Sequence, residues 1–457
     1  MSTKKFSQSL TLKGIFIAVL TLLLLIPSAM IQNLISERQT RSNKTIATIN
    51  EKWSLSQTVC GPVLVVPFTT TGLNAEQKTF TTEHKLYITP AELTVNTRLF
   101  PEKRHYGIYE AILYKSENHI RGHFAPIEQT KIANSTIHFD KAYIALTISD
   151  LRGVTKQLDF KFGGKTYAAE ASGNSNFIDG KQLIINLAEG IDTNSKDGYE
   201  FDCQLNLNGS SQINFIPIGQ VSKVEMAGEW KAPSFVGSFS PDYKLTDKDF
   251  TASWSVLSFN RSIPESWVDG QVGNISDISL GVNLIDTVDH YQQNMRSAKY
   301  ALMFIVLTFV VFFFVEVLTK KQIHPIQYLL VGIALILFYS LLLSISEQIN
   351  FAIAYLIASV ATIALITTYA HSIFKNKSQT GVLALILSIL YVFLYVILQL
   401  EDVALLIGSV GLFVILAIIM YLSKKINWYK PEESNDDVEE KVLTENETDE
   451  TYRPKVY

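Results

Sequence analysis

Apolar residues along this chain gather into six long runs, one near the start and five in the last third, on either side of a polar stretch of domain length. The runs are Leu12 to Gln32, Tyr300 to Leu318, Tyr328 to Ile345, Phe351 to Tyr369, Gly381 to Leu398 and Val403 to Tyr421. Each can cross a hydrocarbon core of about 30 Å as a helix, which satisfies its own backbone hydrogen bonds in lipid. The polar stretch cannot remain in lipid, so the pattern predicts a domain folded in water and anchored at both ends. A cleaved signal peptide is the competing reading of the first run, with its basic start and small residues Ser28 and Ala29. Its apolar length, carried on through Met30 and Ile31, favours a retained anchor.

Six spans put both termini on one side, and Lys and Arg at span ends choose the side. Lys4, Lys5 and Lys13, then Lys320 and Lys321, Lys375 and Lys377, and Lys424 and Lys425 all fall in the cytoplasm if the N-terminus does. The alternate short loops carry Glu347, Glu401 and Asp402 and no basic residue. The large domain is therefore expected outside the cytoplasm.

Within that domain the period shortens to two. In Tyr199 to Leu207, Phe201, Cys203, Leu205 and Leu207 share one face, and Asp202, Gln204 and Asn206 the other, as in a half-buried strand. Asn208-Gly209 then predicts a tight hairpin returning through Ile213 and Phe215. Leu158, Phe160 and Phe162 predict a second hairpin, turning at Gly163-Gly164 and returning through Thr166 to Ala171. Further strands are expected at Leu86 to Ile88, Glu92 to Leu99, Ala111 to Tyr114, Ile120 to Phe124, Ala142 to Ile148, Leu183 to Leu187, Gln220 to Trp230 and Phe250 to Leu257. Many short strands with turn signals favour an antiparallel sandwich. Helices are expected at Leu34 to Ser54 and Thr287 to Lys299, each continuing a spanning helix outward.

Composition adds little to this outline. A net charge of -4 gives no global basic excess for nucleic acid. After Lys430 the tail is acidic and poor in apolar residues, as expected of a solvated end. Cys60 and Cys203 both lie in the large domain, where a bridge is permissible; free buried thiols are the favoured reading. Triplets such as Asn134 with Thr136 and Asn208 with Ser210 are glycosylation acceptors only in a eukaryotic secretory route.

The chemistry-bearing patterns are few. There is no phosphate-binding glycine loop, Gly-x-Ser-x-Gly elbow or His-Glu-x-x-His helix. His119 and His123, four apart, are read as two surface histidines because no third metal ligand is evident. Glu316 is the one acid well inside a span; four residues before Lys320, it reads as half of a snorkelling interfacial pair, and its change to Gln is expected to be tolerated. Ser340, Ser344, Thr362, Thr367, Thr368 and Ser388 read as packing residues, and Tyr300, Tyr328, Tyr369 and Tyr421 as interfacial anchors.

The order of parts and several phrases resemble the CreD family of bacterial inner-membrane proteins. The phrases are Gly61-Pro62 with Pro67; Trp230 with Pro233-Ser234-Phe235 and Gly237; Phe250 with Trp254; Tyr291, Lys299-Tyr300-Ala301 and Glu316; His324-Pro325 with Gln327-Tyr328; Ser346-Glu347; Ala404-Leu405-Leu406 with Gly408-Ser409; and Trp428-Tyr429. The resemblance implies a link to cell-envelope integrity and envelope stress, with no catalytic residue or substrate to carry over. Physically, Pro325 suits the first turn of the third span, Gly408 suits close helix approach, and Trp230 and Phe235 read as core aromatics beside a proline turn at Pro233 in preference to an exposed ridge.

The expectation is an α+β membrane protein with six transmembrane helices, one plus five. It comprises a cytoplasmic N-terminus at 1–11, helix 1 at 12–32, a β-rich, sandwich-like periplasmic domain at 33–299, a five-helix bundle at 300–422 and an acidic cytoplasmic tail at 423–457. The functional expectation is a non-enzymatic protein of the bacterial inner membrane, without cofactor or metal, in contact with membrane lipids and with envelope components or partner proteins, and not with nucleic acid. The rival is a transporter or flippase-like protein whose large domain receives a substrate.

Overall fold

A computed structural model describes residues 10–73, 79–127, 135–175, 177–188, 191–192, 195–285, 290–319, 323–400 and 403–424. The acidic tail, Lys4 and Lys5, Asn134, Lys320 and Lys321, Glu401 and Asp402, Lys425 and Trp428-Tyr429 lie outside the described residues. The chain divides into a helical unit, made of the chain to Ser36 and from His290 on, and a β unit, Glu37–Asp289.

The β unit contains two sheets. One runs in the order Pro233–Gly237, Leu280–Leu284, Gln212–Ile216, Gln57–Leu73, Tyr143–Ile148, Lys181–Asn186, Glu170–Asn174. The other runs Asp242–Leu245, Phe250–Leu257, Val221–Gly228, Glu92–Tyr106, Tyr109–Phe124, Tyr199–Ser210, Asp159–Phe162, Lys165–Ala168. Val63, Leu64, Ile144 and Ile185 of the first and Leu93, Ile120, Leu205 and Trp254 of the second belong to one buried cluster, the core of a sandwich. Phe201, Cys203, Leu205 and Leu207 face that core while Asp202, Gln204 and Asn206 do not, which is the register expected from alternation.

Two features depart from a simple antiparallel meander. Gln57–Leu73 pairs in parallel with Gln212–Ile216, and Glu92–Tyr106 with Val221–Gly228. The Asn208-Gly209 hairpin does not form. The strand continues through both residues to Ser210, turns at Ser211 with φ 59°, and enters the other sheet as Gln212–Ile216. Gly209 serves packing instead. A Cβ there would sit 2.2 Å from the Tyr114 hydroxyl, which donates to the Gln212 carbonyl at 2.8 Å. At Gly163-Gly164 the hairpin is as expected, with φ of 54° and 82°, the positive pair that a two-residue turn of this hand needs.

The first helix, α1 (Leu10–Trp53), runs unbroken past the end of its apolar stretch. Its last residues are tied into the β unit around Asp150. That carboxylate accepts from the Leu55 N–H at 3.0 Å, the Ser54 hydroxyl at 3.3 Å and the Arg152 guanidinium at 2.8 Å. Burial alone would raise the Asp150 carboxyl, but the Arg152 hydrogen bond, the backbone N–H bonds and the Arg152 charge outweigh it and hold it at about 2. Arg152 in turn donates to the Glu51 carbonyl at 2.7 Å.

The helical unit adds α2 (His290–Lys299), α3 (Ala301–Thr319), α4 (Pro325–Ser346), α5 (Phe351–Phe374), α6 (Lys377–Gln399) and α7 (Ala404–Ser423). α2 does not continue α3 in a straight line; the two meet at a bend of 46°. Among the described residues four helices are long and apolar enough to cross a membrane, and five if the bent pair counts as one. Pro325 opens α4, where its missing N–H leaves no bond unmade. His324 caps that helix, its ring accepting from the Ile326 N–H at 3.3 Å and its own N–H donating to Gln327 at 2.9 Å. Asn350 and Asn376 cap α5 and α6 in the same manner.

Close helix approach occurs at glycines other than Gly408, whose nearest neighbour, on Ile397, would be 4.0 Å from an added Cβ. Gly332 on α4 would meet Leu24 of α1 at 2.3 Å, and Gly411 on α7 would meet the Phe393 ring of α6 at 2.3 Å. The bundle core is aromatic. Tyr391 packs against Phe304 at 4.7 Å and Phe338 at 5.0 Å, and the Tyr355 hydroxyl donates to the Tyr391 carbonyl at 2.8 Å.

Candidate functional site

Outward-facing side chains of the second sheet line up in rows, because register fixes which residues stand opposite one another across neighbouring strands. One row reads Asp242, Ser253, Glu225, Asn96, His119, Gln204. The next reads Lys244, Thr251, Ala227, Arg98, Glu117, Asn206. All of these but Asn206 floor a depression of about 540 Å³, with Tyr243, 56% exposed, at one side. Its lining combines hydroxyls, side-chain amides, two cations, three carboxylates and an imidazole.

Several of these groups are held in place. His119 Nε2 lies 2.5 Å from Asp202 Oδ2, which orients the ring. The Arg98 guanidinium lies over the Phe100 ring, 5.3 Å from its centroid. Tyr243 packs against Phe235, ring centroids 4.9 Å apart. Asn96 Oδ1 is buried and has no hydrogen-bond partner among the described residues. An acceptor left without a donor at the floor of a polar depression can take one from a ligand hydroxyl or amide.

The two histidines do not converge. Both lie on Tyr109–Phe124, and four residues of strand separate them by about 13 Å, too far for one ion. His123 Nε2 instead bonds the Asp197 carbonyl at 2.8 Å. No group of three or more His, Cys, Asp or Glu suited to a metal occurs among the described residues. Cys60 and Cys203 are free and buried, on strands of different sheets, and burial pushes both thiols up to about 12, which keeps them protonated and unreactive. Trp230 and Phe235 pack on the sandwich core, and the Trp230 indole donates to the Ile285 carbonyl at 3.1 Å. They are thus the core aromatics expected, with Phe235 carrying Tyr243 at the edge of the depression.

Glu316 has a different environment from the one its sequence suggests. It is buried, 6% exposed. Its carboxylate pairs with Lys13 of α1, accepts from the Ile323 N–H at 3.0 Å and accepts from the Tyr328 hydroxyl at 2.9 Å. At the opposite end of α1's apolar stretch, Gln32 donates to the Ala298 carbonyl at 3.3 Å. Lys13 and Gln32 are 19 residues apart, about 28 Å of helix, which matches the thickness of a hydrocarbon core. The pair is therefore a clasp between α1 and α3 at one end of the apolar layer, with its partner supplied from 303 residues away.

The depression could not be found from sequence motifs, because its residues come from six strands that only the register brings together. The alternation that puts Gln204 outward was legible; its adjacency to Asn96 and His119 was not.

The family model described as inner membrane protein CreD matches residues 9–429. The inner membrane protein CreD of Escherichia coli (strain K12) is 30% identical over 421 residues, covering 89% of this chain and 91% of the relative. Among solved structures, a chain named as a nutrient binding protein of Legionella pneumophila covers 53% of this chain and 86% of its own length, at 7% identity and a TM-score of 0.23. A similarity that low carries no argument. With the family match spanning both the helices and the β domain, this chain belongs to the CreD family of inner membrane proteins.

Proposed function

We propose that this protein supports cell-envelope integrity without catalysing a reaction, by holding a hydroxyl- and amide-rich envelope component against the outer face of its second sheet. In this reading six helices span the inner membrane, both termini are cytoplasmic and the β domain is periplasmic. The observation that carries it is the polar depression of about 540 Å³ floored by Asn96, His119, Gln204, Glu225 and Ser253. Its two cations and three carboxylates leave no strong single-sign field, so it is better matched to a neutral polar polymer such as a glycan than to a polyanion. Exposed Tyr243 offers an aromatic face for a sugar ring beside amides and acids that can bond its hydroxyls.

A photoreactive residue placed at Asn96 or Gln204 in living cells tests this. Envelope glycan should be captured there and not from Lys181, an exposed position on the other sheet. Equal capture from all three positions would contradict the assignment.

A further inference from the structure

The β unit holds a second groove, of about 460 Å³, unlike the first in charge. One wall is the segment of α1 from Arg41 to Trp53; the other is built from Arg104, Tyr106 and Leu113. Arg41, Thr45, Thr48 and Lys52 follow the i, i+4, i+7, i+11 spacing that places side chains along one helix face, with Lys44 beside them. Four cations therefore border the groove, and no carboxylate lines it. Arg104 is engaged, lying 4.0 Å from the Trp53 ring centroid and pairing with Glu102 at 2.7 Å. Arg41, Lys44 and Lys52 are exposed and have no ion pair among the described residues.

A second observation points the same way. Trp53 lines the groove, and its indole N–H is buried with no acceptor among the described residues. The Thr45 and Thr48 hydroxyls are spent on their own helix, donating to the Arg41 and Lys44 carbonyls at 3.0 Å each. What the groove offers is positive charge and unfilled donors, spread over about 16 Å of helix from Arg41 to Lys52. Like charges one turn apart repel, and an anion between them removes the repulsion while accepting charge-assisted hydrogen bonds.

We propose that this groove binds a phosphate-bearing ligand, held by Arg41, Lys44 and Lys52 against the Trp53 and Tyr106 rings. The site is separate from the polar depression and does not depend on the reading of it. Phosphate can arrive on an anionic lipid headgroup or on a molecule free of the bilayer.

Two arms using the full-length protein separate these sources. In neutral maltoside micelles, calorimetry with inorganic pyrophosphate should show saturable binding. Arg41→Gln combined with Lys44→Gln should weaken that binding by about tenfold or more, whereas Lys223→Gln, an exposed cation on Val221–Gly228 that does not line the groove, should leave it unchanged. In nanodiscs, native mass spectrometry should show phosphatidylglycerol retained over phosphatidylcholine if a lipid is the source, with retention lost in the same double variant. Both altered side chains are exposed, so unchanged thermal unfolding of the variant certifies its fold. Binding in either arm that the double variant abolishes supports the site and names the source. Binding that the double variant leaves intact, or none in either arm, overturns it.

Discussion

Replacing Leu205 with Asp should unfold the β domain, while Asn206→Asp one residue later should barely disturb it. Leu205 is 1% exposed, in the middle of Tyr199–Ser210, and its side chain lies within the core that both sheets share. A carboxylate there would have neither water nor a cation, and the loss of leucine packing adds to the cost. The sum is at least about 4 kcal/mol, a large part of the total stability of a domain. Asn206 faces away from the core and stands opposite Glu117. Its change to Asp adds only a like-charge neighbour in a solvated row, about 0.5 kcal/mol. Pulse proteolysis of the full-length protein in detergent measures both; equal effects would mean that the inward and outward faces have been exchanged.

Glu316→Gln should be the most damaging conservative change in the helical unit. The sequence pairs this residue with Lys320 near an interface, where a neutral amide would be harmless. The structure pairs it with Lys13 and buries it beneath Tyr328. A glutamine can still bond the Tyr328 hydroxyl or the Ile323 N–H, but it leaves the Lys13 ammonium without its counter-charge. Breaking one side of a buried pair costs about 3–5 kcal/mol; Lys13 is 20% exposed and can partly reach water, so the expected loss is about 2 kcal/mol. Lys13→Met added to Glu316→Gln should recover much of that loss, since no charge is then stranded. Thermal unfolding of the four species closes the cycle. A coupling of zero would show that the two residues do not act as a pair.

The sequence and the structure agree where a single period governs a stretch and part where distant segments meet. Alternation in Tyr199 to Leu207 identified both the strand and its buried face. Leu34 to Ser54 was legible as a helix, and Pro325 as a helix start. Gln57–Leu73, the central strand of its sheet, was missed. Val59, Cys60, Val63, Leu64, Val65 and Val66 are all buried, and a strand covered on both faces reads as a continuous apolar run without alternation. Asn208-Gly209 misled because a turn-forming pair can also sit inside a strand, here to make room for Tyr114. Glu316 was read from its local neighbour Lys320, which lies outside the described residues, and the partner that the structure does show, Lys13, is 303 residues away. The same limit hid both grooves, each of which joins residues from separate elements.

Placement of the β domain on the outer side of the membrane decides whether an envelope component can reach the polar depression at all. Fusions of alkaline phosphatase, which folds only outside the cytoplasm, test it directly. Fusion after Asp150 should be active and fusion after Lys377, at the start of α6, should be inactive. Activity after Lys377 with none after Asp150 would place the domain in the cytoplasm and contradict the account.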